Sequence, residues 1–398
     1  MMRFFKKYTA AILAPILFFS SCTMMREDLP DCPYGLYVKF SYDYNIQRAD
    51  MFKDHVGHIC LNVYDESGKK VAQRIITNNG TENPLGAYGF TVYFPNEELK
   101  PGHSYRLQAV GMQKDWDTAL SLPGAKYRRS DDGNIADHHI KLDHKQPETD
   151  LDCGHNHVDN SAPLDTLWHT LKVTSTLPLD KLEDPGVHPT RKPYSIYPIE
   201  EQLVRVDPEK YTFATVSLIR DTKHLNITLR QIDDPANIRH DDFEVFIVDD
   251  NTHLDTNNEI VKEAPVHYNP YASWTTRFLS DGTVDVETEA TTEEVMQRTA
   301  HYDLMFNRVM YPEKGKEGGR LLIKNKTNGK TVADISLPHI LAEGHTAYEM
   351  YNYGHQEYLD REHDYRLDFL LKGDTWSSVY VVINVLSWNV RIDNIEIK

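Results

Sequence analysis

The sequence lacks the features that mark several large functional classes. After residue 22 it has no run of 18 consecutive apolar residues, so no later segment is predicted to cross a membrane as a helix. It contains no GxSxG, HExxH, GxGxxG or Walker A motif, so it carries no signature of common hydrolases, zinc proteases or nucleotide-binding enzymes. We therefore predict that the protein is not an enzyme and uses no cofactor.

Basic residues are also scarce. The chain has 43 Lys and Arg against 60 Asp and Glu, which gives a formal net charge of −17. A strongly acidic surface repels the phosphates of nucleic acids, so we expect no nucleic-acid partner. Apolar residues make up 40% of the chain, which is enough for a packed core and argues against a disordered protein.

The N-terminus has the pattern of an export signal. Residues 1–9 carry three basic and no acidic side chains, and residues 10–19 form an apolar run. That run is too short for a bilayer-spanning helix, which needs about 20 residues, but it suits the core of a signal peptide. Two serines then precede Cys22, which resembles the lipobox at which bacterial lipoproteins are acylated and cleaved. We predict that residues 1–21 are the signal peptide and that Cys22 carries the lipid, palmitate included.

Residues 22–33 are polar and contain two prolines, so we interpret them as a lipid-anchored tether. Several acyl chains on one residue give lasting membrane attachment. With Cys22 acylated, Cys32, Cys60 and Cys153 remain. The exported compartment permits disulfides, and three thiols allow at most one. The spacing does not choose which of them pair.

The remainder of the chain has the two-residue period of β-strands. Apolar and polar residues alternate over 36–44, 59–63, 71–75, 88–94 and 105–109, with turn residues between these segments. Short strands at such spacing are typical of an antiparallel β-sandwich.

The second half shows the same alternation. It recurs over 225–229, 243–247 and 388–397, and the strand predicted at 379–386 is almost wholly apolar. Residues 338–345 and 353–362 are predicted helical turns. The intervening residues 178–210 are rich in proline, which suits a stiff connection. We therefore predict an all-β protein with two β-sandwich domains, 34–200 and 201–398, and with long loops.

A polar segment between the strands contains clustered histidines. Asp137-His138-His139 and Cys153-Gly154-His155-Asn156-His157 contain residue types that bind zinc and copper, but their spacing matches no closed zinc motif. A solvated loop is the simpler interpretation. His155 and His157 are the weak metal candidates, because a strand would place both on one face.

Four stretches resemble a known family. They are DCPYGLYVKF (Asp31–Phe40), LKPG (Leu99–Gly102), QEYLDREHDYRL (Gln356–Leu367) and VVINVLSW (Val381–Trp388). Together with the lipobox, they resemble the FimB-type anchor lipoproteins of type V fimbriae, in the fimbrillin superfamily. The resemblance implies a fold of two tandem transthyretin-like antiparallel β-sandwiches. It also implies a subunit that attaches the fimbrial fibre to the outer membrane, is lipid-anchored and surface-facing there, and terminates fibre growth.

The resemblance further implies a stalk subunit as protein partner, bound by strand addition. We expect the first strand to stay in place, where a polymerising subunit would lose it. The C-terminal strands are the candidate stalk contact, and the alternative is that they are ordinary core strands. The residues concerned are Val381, Ile383, Val385, Trp388, Val390 and Ile392.

Two alternatives remain open: a fimbrial tip adhesin and a cell-surface glycan-binding lipoprotein. An aromatic cluster on an outer sheet face would favour the glycan-binding protein, whereas loss of the N-terminal segment by proteolysis would favour the tip.

Overall fold

A computed structural model describes residues 34–130, 133–145, 156–176, 203–385 and 388–392. Strands account for 46% of the described residues and helices for 12%, which confirms the all-β prediction. Among the described residues, no helix is long and apolar enough to span a membrane.

The strands of the N-terminal half are short and regular, as the alternating sequence predicted. They are β1 (Gly35–Ser41), β2 (His58–Tyr64), β3 (Lys70–Thr77), β4 (Val92–Pro95), β5 (Ser104–Met112), β6 (Tyr127–Ser130), β7 (His139–Leu142), β8 (Asn156–His157), β9 (Leu167–Thr176) and β10 (Val204–Arg205).

The C-terminal half contains longer strands. They are β11 (Thr212–Arg220), β12 (Lys223–Gln231), β13 (Phe243–Asp249), β14 (His253–Leu254), β15 (Val266–Tyr268), β16 (Ala272–Leu279), β17 (Val284–Val286), β18 (Val295–Phe306), β19 (Arg320–Asn325), β20 (Thr331–Ser336), β21 (Asp364–Lys372), β22 (Thr375–Val385) and β23 (Trp388–Ile392).

Helices are few. Those of the α type are α1 (Phe52–His55), α2 (Trp116–Ser121), α3 (Leu337–Ala342) and α4 (His355–Arg361), and a 3-10 segment, Glu343–Tyr351, lies between α3 and α4. This confirms the helical turns predicted at 338–345 and 353–362. Both α3 and α4 bury apolar side chains against the sheets of the C-terminal half.

Sheet I has the strand order β3-β2-β5-β9-β11-β1-β4. Its strands share one core cluster, to which β1, β2, β5, β9 and β11 all contribute apolar side chains. Residues Val110–Met112 of β5 pair with Leu167–His169 of β9, and this pairing joins the two parts of the strand order into one continuous sheet. The strands of this sheet enclose a common interior. Alternate side chains point into that interior because successive residues of a strand face opposite sides.

Three further sheets of the described chain contribute to the second core, and the smallest of them has the order β14-β7-β6. Sheet II has the order β17-β16-β18-β12-β21-β22-β23, and sheet III has the order β20-β19-β13-β15-β8. Apolar side chains of β12, β18 and β21 join those of β13 and β19 in a single cluster. Most neighbours are antiparallel, but β12 and β21 run parallel.

Pairing between strands crosses the boundary that we predicted near residue 200. Strand β11, which follows that boundary, lies in sheet I between β9 and β1, and β8, which precedes it, pairs with β15 in sheet III. The division into domains 34–200 and 201–398 stays a prediction.

Candidate functional site

The first strand is an integral part of sheet I. Strand β1 runs parallel to β11 and antiparallel to β4, with residues Leu36–Ser41 in register with Thr212–Ser217. Its inward-facing residues Leu36, Val38 and Phe40 are 0%, 0% and 7% exposed. Full burial of such a side chain contributes about 1.5–3 kcal/mol, so the strand is held by its side chains as well as by its backbone.

Strand β4 depends on β1. In the described part of the chain, β4 pairs with β1 and with no other strand. At the start of β1, a Cβ atom on Gly35 would overlap the carbonyl oxygen of Phe94, so the two strands meet where only glycine fits. Removing β1 would therefore leave a groove beside β11 and would leave β4 without its partner.

Strand β1 ends earlier than the alternation over 36–44 predicted. After Ser41, the Tyr42 amide donates to Oδ1 of Asp50 at 2.9 Å, and the Met51 amide donates to the Tyr42 carbonyl at 3.0 Å. These bonds close a loop, in which Tyr42 and Tyr44 are still buried. Alternating burial thus continues beyond the last residue that pairs in the sheet.

The outer face of β1 carries a row of aromatic rings. The ring of Tyr37 lies 4.8 Å from that of Tyr93 on β4 and 5.4 Å from that of Phe213 on β11, between centroids. Tyr211 extends the row, with its ring 6.3 Å from that of Tyr37. Phe213 is 43% exposed and the other three are half-buried, so the row lies on an outer face of the sheet.

The motif at Gln356–Leu367 forms part of a buried polar junction. The guanidinium of Arg308 donates to both carboxylate oxygens of Asp360, at 2.6 and 2.9 Å, and both side chains are almost fully buried. The ammonium of Lys223, also buried, donates to the carbonyls of Asp360 and Glu362 at 2.9 and 2.8 Å.

Asp360 and Arg361 are adjacent in α4 but have different ion-pair partners. Asp360 pairs with Arg308, whereas Arg361 donates to Glu357 at 2.9 Å. Neighbouring helical residues point in directions about 100° apart, so they reach different partners. The guanidinium of Arg361 also lies 4.0 Å from the ring centroid of Tyr44, in a cation–π contact that joins α4 to the loop after β1.

Burial changes the acid–base behaviour of this junction. It raises the pKa of Glu362 from 4.5 to about 7, although the amides of His363 and Asp364 donate to its carboxyl group. Burial likewise lowers the pKa of His363 from 6.5 to about 3. Both side chains are therefore neutral in the folded protein at mildly acidic pH.

The C-terminal strands occupy one end of sheet II. Strand β22 pairs with β21 and β23, and β23 is the last strand of the sheet in the described chain. Of the predicted stalk contacts, Val381 is 1% exposed and belongs to the second core. The side chains of Ile383, Val385, Trp388, Val390 and Ile392 lie outside the described part, so their role stays a prediction.

The metal candidates are only partly described. His155 lies outside the described residues, and the backbone of His157 in β8 exchanges hydrogen bonds with Lys145. Among the residues that the structure describes, no three His, Cys, Asp or Glu side chains form a group able to hold a metal ion.

The cysteines are described at one position. Cys60 is buried in β2, where its sulfur accepts a hydrogen bond from Nε2 of Gln73 at 3.5 Å. Cys22, Cys32 and Cys153 lie outside the described residues. Lipidation of Cys22 and any disulfide involving Cys32 or Cys153 therefore remain predictions.

Sequence reasoning missed two features of this region. The aromatic row joins residues far apart in the chain, and only the register of β4, β1 and β11 brings them together. Lys223 and Arg308 resemble ordinary strand cations in the sequence. Their one signal is position, because Lys223 is the first residue of β12 and Arg308 lies two residues after the end of β18.

Comparison with known proteins places this arrangement in a family context. Residues 29–394 match the model of one protein family, described as fimbrillin-A associated anchor proteins Mfa1 and Mfa2. A search of curated proteins found no match.

Solved structures share the fold. A candidate adhesin from Bacteroides thetaiotaomicron is 22% identical, with a TM-score of 0.62 over 92% of this chain and 100% of that chain. A candidate polysaccharide-binding protein from the same species is 22% identical, with a TM-score of 0.59 over 90% and 98%. The fimbrial anchor protein Mfa2 from Porphyromonas gingivalis is 13% identical, with a TM-score of 0.51 over 90% and 99%. At these identities the similarity concerns the fold.

The buried carboxyl group of Glu362 should make the protein less stable as pH rises. Above pH 4.5 the unfolded chain releases this proton, whereas the folded protein keeps it up to about pH 7. The unfolded state then binds fewer protons, so this group's contribution is present below pH 4.5 and is lost as the pH rises to 7. In urea unfolding, the stability difference between wild type and Glu362→Gln should shift by up to about 3 kcal/mol across this window.

The control is Glu317→Gln, because the Glu317 side chain is exposed. Its unfolding free energy should follow that of the wild type at every pH. A difference between wild type and Glu362→Gln that is constant from pH 4.5 to 7 would contradict the proposed protonation.

Proposed function

We propose that this chain, which belongs to the family of fimbrillin-A associated anchor proteins, is the lipid-anchored base of a type V fimbria. Membership of this family gives it a fimbria-associated role in the cell envelope. In this role it attaches the fibre to the outer membrane through Cys22 and terminates fibre growth. It catalyses no reaction in this role. The observation that supports the proposal is the position of the first strand, β1, which lies between β11 and β4 in sheet I.

The proposed mechanism of termination follows from strand addition. A subunit that has lost its first strand exposes a groove that a neighbour's strand can fill, with main-chain hydrogen bonds along its length and alternate side chains in the core. Here Leu36, Val38 and Phe40 already fill the corresponding positions. A chain that keeps β1 has no vacant groove beside β11, so the next strand cannot be accepted there.

The same proposal assigns each half a transthyretin-like β-sandwich. The common interior of sheet I and the facing sheets II and III are consistent with two such sandwiches in tandem. Lipid attachment at Cys22 would leave 13 residues before Gly35. This tether is short, so the first strand would be held close to the membrane surface that carries the fibre.

Analysis of the protein from native membranes tests the anchor role. We expect an intact mass and N-terminal peptide that show acylated Cys22 on an otherwise full-length mature chain, together with a co-purifying fimbrial stalk subunit. A chain cut between β1 and the remainder would instead indicate a polymerising or tip subunit. An acylated chain without any fimbrial partner would also contradict the anchor role.

The stalk contact is proposed to involve the C-terminal strands, β22 and β23. Their position at one end of sheet II supports this, because a terminal strand offers backbone groups to another chain. Deleting residues 388–398 should then release fibres into the growth medium, as measured by immunoblotting of cell and medium fractions. The variant must reach the membrane in wild-type amount, and fibres that stay cell-bound would contradict this contact.

The aromatic row favours a second candidate function, glycan binding. Aromatic faces stack on the apolar faces of sugars, and Tyr93, Tyr37, Phe213 and Tyr211 line one outer face of sheet I. One protein with this fold carries a description as a candidate polysaccharide-binding protein. A lipoprotein with this face could hold a glycan at the cell surface.

Affinity electrophoresis in gels containing xylan or galactomannan tests this second function. The wild type should be retarded, and Phe213→Ala should be retarded less, because it removes an exposed ring from the row. Phe278→Ala is the matched control, since Phe278 is also 43% exposed but lies in sheet II. Equal mobility of all three proteins with and without polysaccharide would count against glycan binding by this face.

A further inference from the structure

The other end of sheet II carries an exposed apolar corner. Four large apolar side chains are exposed there: Phe278 at 43%, Val284 at 67%, Val286 at 48% and Met296 at 49%. They belong to β16, β17 and β18, which are neighbours in the sheet. Single exposed apolar residues are normal on a protein surface, but a contiguous group marks an interaction site.

Strand register explains why these side chains meet. Phe278 lies directly opposite Val284, and Thr276 lies opposite Val286, so both valines share the outer face with Phe278. Met296 lies on β18 at the irregularity in its pairing with β16, between Val295, which is opposite Leu279, and Gln297, which is opposite Phe278. The inner face carries different residues, because successive positions alternate.

Hydrogen bonds of Arg277 fix the position of β17 and of the residues that follow it. Between the two valines, Asp285 accepts hydrogen bonds from Nε and Nη2 of Arg277 at 2.7 and 3.0 Å. Arg277 is 6% exposed and also donates to the carbonyl of Glu289 at 2.8 Å. A partner binding to β17 would therefore meet a strand that is already in position, which lowers the entropy cost of association.

Acidic side chains surround the corner. Asp281 lies in the turn between β16 and β17, and Glu293 and Glu294 lie just before β18; all three are exposed. The amide of Ser280, at the end of β16, donates to the carbonyl of Glu294 at 2.9 Å, which keeps these acids beside the apolar residues. The result is an apolar patch with a negatively charged rim.

We propose that β17 is a docking edge for an extended, basic strand of a partner polypeptide. In the described chain β17 pairs with β16 alone, so its other side can accept main-chain hydrogen bonds from an added strand. Alternate apolar side chains of that strand would cover Phe278, Val284 and Val286, and its Lys or Arg residues would face the acidic rim. This inference adds a binding surface to the proposed function, and it rests on that function for the origin of the partner polypeptide.

The charge of the rim distinguishes this occupant from a second copy of the chain. A symmetric pair of β17 edges would bring Asp281, Glu293 and Glu294 of both copies close together, and like charges repel. The same acids disfavour an anionic membrane surface. A basic strand gains from both the apolar corner and the rim.

A direct binding assay tests the proposal with the whole mature protein. The probe is a short synthetic peptide of alternating valine and lysine, and a peptide of alternating valine and glutamate is its charge-reversed counterpart. Fluorescence anisotropy should show binding of the lysine peptide that weakens with added salt, and much weaker binding of the glutamate peptide. The double variant Val284→Lys/Val286→Lys should bind the lysine peptide about tenfold less tightly or worse.

The matched control is Val71→Lys/Ile75→Lys. These residues lie on β3, an edge strand of sheet I, and are 39% and 53% exposed. The control variant should bind the peptide like the wild type. Equal binding of both peptides, or equal loss in both double variants, overturns the proposal; circular dichroism of each variant verifies that it is folded.

Photo-crosslinking in cells identifies the natural occupant. A benzoylphenylalanine at position 278 should crosslink to an extended segment that contains Lys or Arg, mapped by mass spectrometry. A crosslink to a second copy of this chain, or no crosslink, overturns the proposal.

The outcomes separate this proposal from the anchor role. Protein that binds the lysine peptide but carries no fimbria in cells would overturn the anchor role alone. Protein that carries a fimbria but does not bind the peptide would overturn the docking edge alone.

Discussion

Strand β1 is the element on which the N-terminal sheet depends. It contributes three buried apolar side chains to the first core, pairs with β11 along its length and is the described partner of β4. Its hydrogen bonds and its burial act together, so neither the groove nor the core is complete without it. A strand in this position fills the place beside β11 that another strand would otherwise occupy.

The second constraint is the buried junction around Asp360. Two cations, Arg308 and Lys223, and one carboxylate come together with backbone carbonyls where solvent is excluded. Such an arrangement is tolerated only when every charge has a partner, because an unpaired buried charge costs several kcal/mol. The cation–π contact of Arg361 with Tyr44 then ties α4 to the loop after β1. This accounts structurally for the motif Gln356–Leu367.

The strands were predictable because burial of one sheet face imposes a period of two. Strands β1, β2, β12 and β13 lie where the alternation placed them, and the helical turns α3 and α4 also match. The prediction was less accurate at strand ends, as at Ser41, because side chains stay buried in the loop that follows. The local alternation of apolar residues predicts which side chains are buried. The ends of the strands depend on backbone hydrogen-bond partners that lie elsewhere in the chain.

The features of the candidate sites also divide into those that the sequence determined and those that only the tertiary structure decided. The sequence alone determined the family resemblance, the all-β class and the acidic surface, because these depend on composition, local period and short motifs. Tertiary structure alone decided that Tyr37 meets Phe213 and Tyr93, that Asp360 pairs with Arg308, and that Phe278 lies opposite Val284. Each of these contacts follows from strand register or helix direction, and register is set by cooperative packing over many residues instead of by the residues that make the contact.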